Sequence, residues 1–146
     1  MKIQRTVETP AAPAAVFAYL SDFTTTTEWD PGTVDTVRVD GDGGVGTTYR
    51  NRSRFLGRTT ELTYVVIERS PGQRIRLRGE NATVVALDAM TLRQPRSGTT
   101  ELTYRAEFTF KGPWRLLAPL LAPAFRRLGD EAEAGLRRAL NALPTP

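Results

Sequence analysis

The chain has 146 residues, of which 40% are hydrophobic and 25% are charged, with a formal net charge of +4. This length predicts one domain over residues 1–146, large enough to bury a core without disulfides or a structural metal. The chain contains neither cysteine nor histidine. That excludes thiol nucleophiles, Ser-His-Asp triads and metal sites built from thiolate or imidazole ligands.

The composition also limits where the protein works and what it binds. The N-terminal residues alternate polar and apolar side chains instead of forming a signal-peptide apolar run. No stretch reaches the roughly 18 apolar residues of a membrane span, so we expect a cytoplasmic protein. No aromatic RNA-binding signature interrupts the arginines, and nucleic acid is therefore not an expected partner. No acidic cluster has metal-ligand spacing, and no cofactor motif is present.

The first part of the chain is predicted to form one strand and two short helices. Residues 2–9 alternate apolar and polar side chains, which is typical of a strand, and Pro10 ends it. Pro13 suits the first turn of a helix. Residues 23–29 are predicted to form a second short helix or turn-rich segment, although four consecutive threonines disfavour helix there.

From residue 33 onward the pattern predicts strands separated by short turns rich in glycine and proline. Short turns imply antiparallel neighbours. Alternation is clearest in the last strand. The predicted strands are residues 33–39, 47–55, 59–68, 74–78, 83–93 and 100–110, with turns at 40–44, 56–57, 70–72 and 95–98.

The C-terminal region is predicted to be one long amphipathic helix. From Trp114 to Leu143, apolar residues recur every three or four positions. Pro119 and Pro123 are expected to kink its first third, because each proline removes a backbone hydrogen bond. On the outer face, opposite charges are spaced for the i,i+4 pairs Arg127–Glu131 and Glu133–Arg137.

The order of these elements is more specific than any one of them. Its landmarks are a strand over residues 3–7 followed by the segment 13–17, Trp29 before Pro31, the segment 45–47 after the glycine turn, the turn at 70–72, the segment 98–104, and the helix over 112–143. This order resembles the helix-grip fold of the START-like superfamily, in particular its polyketide cyclase/dehydrase and lipid-transport branch. The resemblance implies an α+β fold in which a curved seven-stranded antiparallel sheet wraps around the long helix, with two short helices after the first strand.

The resemblance also implies a function. Proteins of this superfamily hold an apolar small molecule between the sheet and the long helix, so we expect a hydrophobic ligand such as a lipid, a quinone or a polyketide-like compound. The alternative is an enzyme of the cyclase or dehydratase type that uses the same cavity. The absence of histidine weakens the catalytic alternative. No cofactor is expected.

Strand alternation identifies Asp88 as the candidate catalytic residue. If Met90 and Leu92 face the cavity, Asp88 faces it as well, because alternate residues share one face of a strand. A carboxyl group in an apolar cavity has a raised pKa and can carry a proton. In the alternative interpretation, Asp88 turns to solvent at an irregularity or pairs with an arginine.

The other candidates follow from the same alternation. Tyr49 and Phe55 indicate an inward face that also brings Asn51 and Ser53 inward, where they would bind a ligand oxygen or only each other. Trp29 either covers the cavity entrance or anchors the short helices, and the tyrosines are either core or site residues. The predicted ligand-binding residues are Trp29, Tyr49, Asn51, Ser53, Tyr64, Asp88, Met90, Tyr104, Phe108, Leu121 and Phe125.

Two rows of arginines are predicted to share the outer face of the sheet. One row is Arg50, Arg52 and Arg54, and the other is Arg74, Arg76 and Arg78; together they form what we call the arginine face. It is either a solvated surface or a surface for transient contact with an anionic membrane or an acidic protein. The sequence does not distinguish a monomer from a homodimer.

Overall fold

In the computed structural model, which describes residues 1–145, seven strands form a single sheet. The strands are β1 (Lys2–Thr9), β2 (Thr33–Asp40), β3 (Thr48–Phe55), β4 (Arg58–Ser70), β5 (Arg74–Glu80), β6 (Val84–Arg96) and β7 (Thr99–Phe110). Every neighbouring pair is antiparallel, in the order β1-β7-β6-β5-β4-β3-β2. The first strand therefore joins the last, and β2 through β7 form a meander of short connections.

Helices cover one face of this sheet. Between β1 and β2 lie α1 (Pro13–Ser21), a 3₁₀ turn (Phe23–Thr25) and α2 (Thr26–Trp29), and after β7 come a 3₁₀ segment (Gly112–Leu117) and α3 (Ala118–Asn141). The buried stripe of α3 includes Phe125, Ala132, Leu136 and Leu140. The helix-grip arrangement of sheet and long helix is confirmed.

The start of the long helix differs from the prediction. Residues 112–117 form a 3₁₀ segment, and α3 begins at Ala118. Pro119 then falls in the first turn of α3, where its missing N–H would have had no helical acceptor in any case. Pro119 is therefore at the start of α3, and Pro123 is the proline in the interior of this helix. The predicted pairs on its outer face form, Arg127–Glu131 at 3.0 Å and Arg137–Glu133 at 3.5 Å.

The end of β6 also differs from the prediction. Pro95 was expected to begin a turn, but β6 continues to Arg96. Its pairing with β7 is irregular between Arg93 and Arg96, and such an irregularity accommodates a proline that cannot donate to the ladder. The turn shrinks to Ser97 and Gly98, and Gly98 has a φ of 76°.

The β3–β4 hairpin turns through two residues in the left-handed region. Leu56 has a φ of 53° and Gly57 a φ of 78°. This is the backbone of the tight turn that suits the twist of antiparallel strands, and asparagine or glycine normally occupies both positions. Leu56 is the one non-glycine residue with positive φ among residues 1–145, and its side chain is 65% exposed.

The arginine face lies on the side of the sheet away from the helices, because the residues alternating with its arginines are buried. Acidic side chains pair with three of its six arginines. Arg52 pairs with Asp35 at 2.8 Å, Arg76 with Glu68 at 3.5 Å and Arg78 with Glu80 at 2.8 Å. These pairs are what a solvated sheet surface presents, and contact with an anionic partner stays a prediction.

Candidate functional site: an apolar cavity with a carboxyl at its inner end

A cavity of about 370 Å³ lies between α3 and the concave face of the sheet. At its inner end the lining residues are buried, among them Trp29, Tyr104 and Asp88. At its other end they are exposed: Leu56 by 65% and Trp114 by 48%. The exposed end is the mouth of the cavity, formed by the β3–β4 turn and the 3₁₀ segment.

Phenylalanine rings line the cavity between its two ends. Phe125 of α3 has its ring centroid 4.8 Å from those of Phe55 and Phe108, and 6.0 Å from that of Phe110. These rings connect the helix to β3 and β7, the strands on either side of the cavity. Leu121, one turn before Phe125, also lines it. The wall expected on the long helix is therefore present in the structure.

Asp88 points into the cavity from β6. It lies opposite Leu77 on β5 and Ala106 on β7, and it is only 5% exposed. No arginine pairs with it, and its Oδ1 has no hydrogen-bond partner. Burial, reinforced by the nearby Asp30 charge, raises the pKa of Asp88 to about 7. This carboxyl can therefore take up or release a proton near neutral pH.

Asp30 is a second acid at the inner end that the sequence analysis did not single out. Its Oδ1 accepts from the backbone N–H of Gly32 and its Oδ2 from the Thr33 hydroxyl, both at 3.1 Å. Burial raises the pKa of Asp30 despite these bonds, and Glu131 adds to the rise. The sequence shows Asp30 as a turn residue; its approach to Asp88 depends on the packing of α2 against the sheet.

The Asn51 side chain is fully engaged within the protein. Its Nδ2 donates to the Thr36 hydroxyl at 2.9 Å, and its Oδ1 accepts from the Ser53 hydroxyl at 2.8 Å. Thr36 in turn shares a 2.6 Å hydrogen bond with Thr26. Both Asn51 and Ser53 line the cavity, but the interpretation that they bind each other is the one observed.

Two tyrosines occupy the wall beside Asp88. Tyr64 and Tyr104 both line the cavity and are less than 10% exposed. Burial raises the pKa of both phenols well above the usual value, with the charge of Asp88 adding to the rise. Gly79 makes room for the Tyr64 ring, since a β-carbon there would lie 2.6 Å from its Cε1. Both hydroxyls are therefore protonated at neutral pH and able to donate.

Trp29 anchors α2 and forms part of the inner end. Its ring packs edge-on against Tyr104 with centroids 5.4 Å apart, and it is 1% exposed. Its Nε1 makes no hydrogen bond within the protein. A residue this deeply buried does not cover an entrance, so the anchor interpretation describes Trp29. The mouth is instead bordered by Trp114.

Two of the predicted residues lie outside this cavity. Tyr49 is buried against Phe23, with ring centroids 5.8 Å apart, and borders a separate polar depression. Met90 is 1% exposed and lies opposite Ile75. Both side chains face the concave side as alternation requires, but α1 and the following 3₁₀ turn cover that end of the sheet. The cavity is confined to the other end.

The mouth contains residues that the sequence analysis did not place there. Arg54 and Arg58 flank Leu56 in the β3–β4 hairpin, and all three line the cavity. Trp114 begins the apolar pattern predicted for the long helix, but it is 48% exposed, and the nearby Leu117 is 40% exposed. No local signal identifies such residues, because the mouth exists only where the hairpin meets the 3₁₀ segment.

Within residues 1–145, no group of three or more acidic side chains is placed to hold a metal ion. The helices of this part of the chain also lack the length and apolar character needed to cross a membrane.

Comparisons with known proteins agree with this architecture. Residues 1–141 match the family described as polyketide cyclase/dehydrase and lipid transport. No curated protein matches the chain. Among solved structures, the Zhui aromatase/cyclase from Streptomyces sp. R1128 superimposes with a TM-score of 0.81 at 14% identity, over 96% of this chain and 93% of that one. A START superfamily protein from Mycobacterium smegmatis gives 0.72 at 16% identity, over 96% and 94%. The chain belongs to the polyketide cyclase/dehydrase and lipid transport family.

Proposed function

We propose that this protein binds a hydrophobic small molecule in the cavity between the sheet and α3. The observation that carries the proposal is the cavity itself, which is lined mainly by aromatic and aliphatic side chains and opens at one end. A concave apolar site with a few polar groups is the usual form of a small-molecule site. The lipid-transport members of the family and the aromatase/cyclase neighbour support the same class of ligand.

The energetics favour a ligand of substantial apolar area. Apolar surface removed from water contributes about 25 cal/mol per Å², and the Phe55, Phe108 and Phe125 rings offer a continuous contact surface. The exposed Leu56 and Trp114 at the mouth extend this surface to solvent.

A pair of neighbouring residues on β4 provides the test. Leu62 lines the cavity, whereas Thr63 is the next residue and points to the exposed outer face. Leu62→Trp should fill the cavity and weaken binding of the neutral apolar dye Nile red by about tenfold or more. Thr63→Trp introduces the same ring outside and should leave binding unchanged. Equal dye binding by both variants and the unmodified protein would place the dye elsewhere and contradict the proposal.

A second candidate function is supported by Asp88. An unpaired carboxyl in an apolar cavity, with the protonated phenols Tyr64 and Tyr104 beside it, is an arrangement suited to enolisation. Asp88 as carboxylate would take a proton from the carbon next to a ketone, and a phenol would donate to the developing enolate oxygen. The new carbon–carbon bond would then form between that carbon and the carbon of a second carbonyl held nearby. The π bond of that carbonyl opens to an alkoxide, which takes the proton back from Asp88.

Asp88→Asn separates the two candidates. A binding protein should retain its affinity for an apolar ligand without a hydroxyl group, such as Nile red, because an amide fills the same volume. An enzyme of the cyclase type should lose turnover of a poly-β-ketone mimic, by about a hundredfold or more, while still binding it. The measurement is product formation, followed by mass spectrometry, beside dye displacement by the same compound.

A further inference from the structure

Two buried polar atoms of opposite hydrogen-bonding character stand without partners at the inner end of the cavity. They are Nε1 of Trp29 and Oδ1 of Asp88, and within residues 1–145 no other buried side-chain nitrogen or oxygen lacks a partner. Leaving a buried polar group unpaired costs about 1–3 kcal/mol. Native proteins contain few such groups, and each one calls for an explanation. Here both residues line the same cavity, so a polar group bound at its inner end is a candidate partner for both atoms.

The strand register places the two residues at the same end of that cavity. Asp88 lies opposite Ala106 on β7, and Tyr104, two residues along, has its side chain on the same face. Diagonal neighbours of this kind lie about 7–8 Å apart, within reach of an aromatic side chain. The Tyr104 ring in turn contacts the Trp29 ring. Ala106 has only a methyl group, so it offers the Asp88 carboxyl no hydrogen bond from that side.

The two atoms define which functional group fits. An indole N–H only donates a hydrogen bond, whereas a carboxylate oxygen accepts one. Above pH 7 the Asp88 carboxyl is mostly ionised and only accepts, so an ether or an ester accepts from the indole but donates nothing to Asp88. A carboxylate ligand is repelled by the Asp88 and Asp30 charges, and an ammonium group cannot accept from Trp29. A hydroxyl group both donates and accepts.

We propose that the inner end of the cavity binds the hydroxyl group of an apolar alcohol or phenol. This hydroxyl group donates a hydrogen bond to Oδ1 of Asp88, and its oxygen accepts one from Nε1 of Trp29. This inference rests on the proposed ligand-binding function and names the ligand's chemical class. The apolar body of the ligand then lies along the phenylalanine rings toward the mouth. The tyrosines beside Asp88 pack around the hydroxyl group and exclude water from it.

Three naphthalene compounds of nearly equal size test the proposal by isothermal titration calorimetry. 2-Naphthol donates and accepts, 2-methoxynaphthalene only accepts, and 2-naphthoate carries a negative charge. At pH 8 the Asp88 carboxyl is mostly ionised, and a hydrogen bond to a charged group contributes about 1.5–3 kcal/mol. At that pH, 2-naphthol should therefore bind at least about tenfold more tightly than 2-methoxynaphthalene. 2-Naphthoate should bind most weakly of the three.

Variants assign the preference to the two residues. Asp88→Leu should abolish the advantage of 2-naphthol over 2-methoxynaphthalene and leave binding of the methoxy compound intact. Trp29→Phe keeps an aromatic ring but removes the donor, so both compounds should lose affinity by a similar factor. Met90→Leu is the matched control, since Met90 is on the same face of β6 but outside the cavity. Its affinities should be unchanged.

The outcomes separate this inference from the proposed function. Equal affinity for 2-naphthol and 2-methoxynaphthalene in the unmodified protein, or a naphthol preference that persists in Asp88→Leu, would overturn the hydroxyl assignment while leaving an apolar binding site. If none of the three compounds binds and Nile red does not bind either, the proposed function itself fails. Circular dichroism of each variant verifies that it is folded.

Discussion

Gly135 of α3 packs directly on the main-chain carbonyl group of Trp29, so closely that a β-carbon at Gly135 would overlap the carbonyl oxygen. This contact sets the distance between the long helix and α2, and with it the position of the inner end of the cavity. Backbone atoms on α2 cannot yield as a flexible side chain does. Gly135 is therefore needed for the helix to lie where it does.

We predict that Gly135→Ala destabilises the protein by about 2–4 kcal/mol, because α3 must shift away from α2. Gly129→Ala is the comparison, six residues earlier in α3, where a β-carbon would meet side-chain atoms only: Cγ2 of Ile3 and the guanidinium group of Arg5. The Arg5 guanidinium can move aside, the Ile3 side chain yields more easily than a main-chain carbonyl group, and alanine favours helix by about 1 kcal/mol. The destabilisation by Gly129→Ala should therefore be smaller. Urea denaturation of both variants measures the difference, and equal costs would contradict the account of the Gly135 contact.

The Asp88 carboxyl should make the stability of the protein depend on pH. Its pKa is about 7 in the folded protein and near 4 when unfolded. The folded state therefore holds this proton more tightly, and stability falls as pH rises from about 4 to 7. Asp88→Asn removes this dependence. The free energy of unfolding of the variant, relative to that of the unmodified protein, should rise by about 2–3 kcal/mol between pH 5 and pH 8.

Urea denaturation at the two pH values measures that growth. Glu61→Gln, on the exposed face of β4, is the control for loss of one negative charge and should show no comparable change. If the difference in free energy of unfolding between Asp88→Asn and the unmodified protein is the same at both pH values, the account is contradicted. The Asp88 carboxyl would then ionise in the folded protein as easily as in the unfolded chain.

Leu56 is expected to lower stability through its backbone conformation. A left-handed φ costs a residue with a β-carbon about 1–2 kcal/mol, whereas asparagine tolerates it. Leu56→Asn should therefore stabilise the protein by about 0.5–1 kcal/mol. Because Leu56 borders the mouth, the same change should weaken binding of an apolar ligand. A variant that gains stability and keeps full affinity would show that Leu56 does not contribute to the site.

The Asn51 side chain should matter for stability more than for binding. Asn51→Ala leaves the buried Thr36 hydroxyl with one partner fewer and removes the partner of Ser53. The expected cost is about 1–3 kcal/mol, measured by thermal or urea unfolding. Ser53→Ala breaks only the bond to Asn51 from a half-buried position and should cost less. Ligand affinity should change little in Ser53→Ala, and a large loss there would assign Ser53 to the site.

Local periodicity was sufficient to predict the elements and their order. Alternation in residues 100–110 gave the face of β7, and the same rule placed Asp88 on the concave side. It could not tell which part of that side remains open. Tyr49 and Met90 obey the same alternation as Asp88, but α1 and the turn after it cover them. Which inward residues line a cavity depends on how the helices pack, and this is a long-range property.

The unpaired state of the inner polar groups was equally inaccessible to sequence analysis. Asn51 and Asp88 are both polar residues on inward faces of strands. The first finds Thr36 and Ser53 as partners, and Oδ1 of the second finds none. The difference arises because Asn51 faces a neighbouring strand with hydroxyl side chains, whereas Asp88 lies opposite Leu77 and Ala106. Pairing of that kind follows from strand register, which the turns indicate only approximately.

Native mass spectrometry of the protein purified from its own cells tests the central claim most directly. The spectrum would be compared with that of Leu62→Trp purified in parallel, and any released compound identified after denaturing extraction. The account predicts a stoichiometric apolar molecule, bearing a hydroxyl group, in the unmodified protein and a reduced amount in the variant. A protein that is empty as purified, and that takes up neither Nile red nor 2-naphthol, would contradict it.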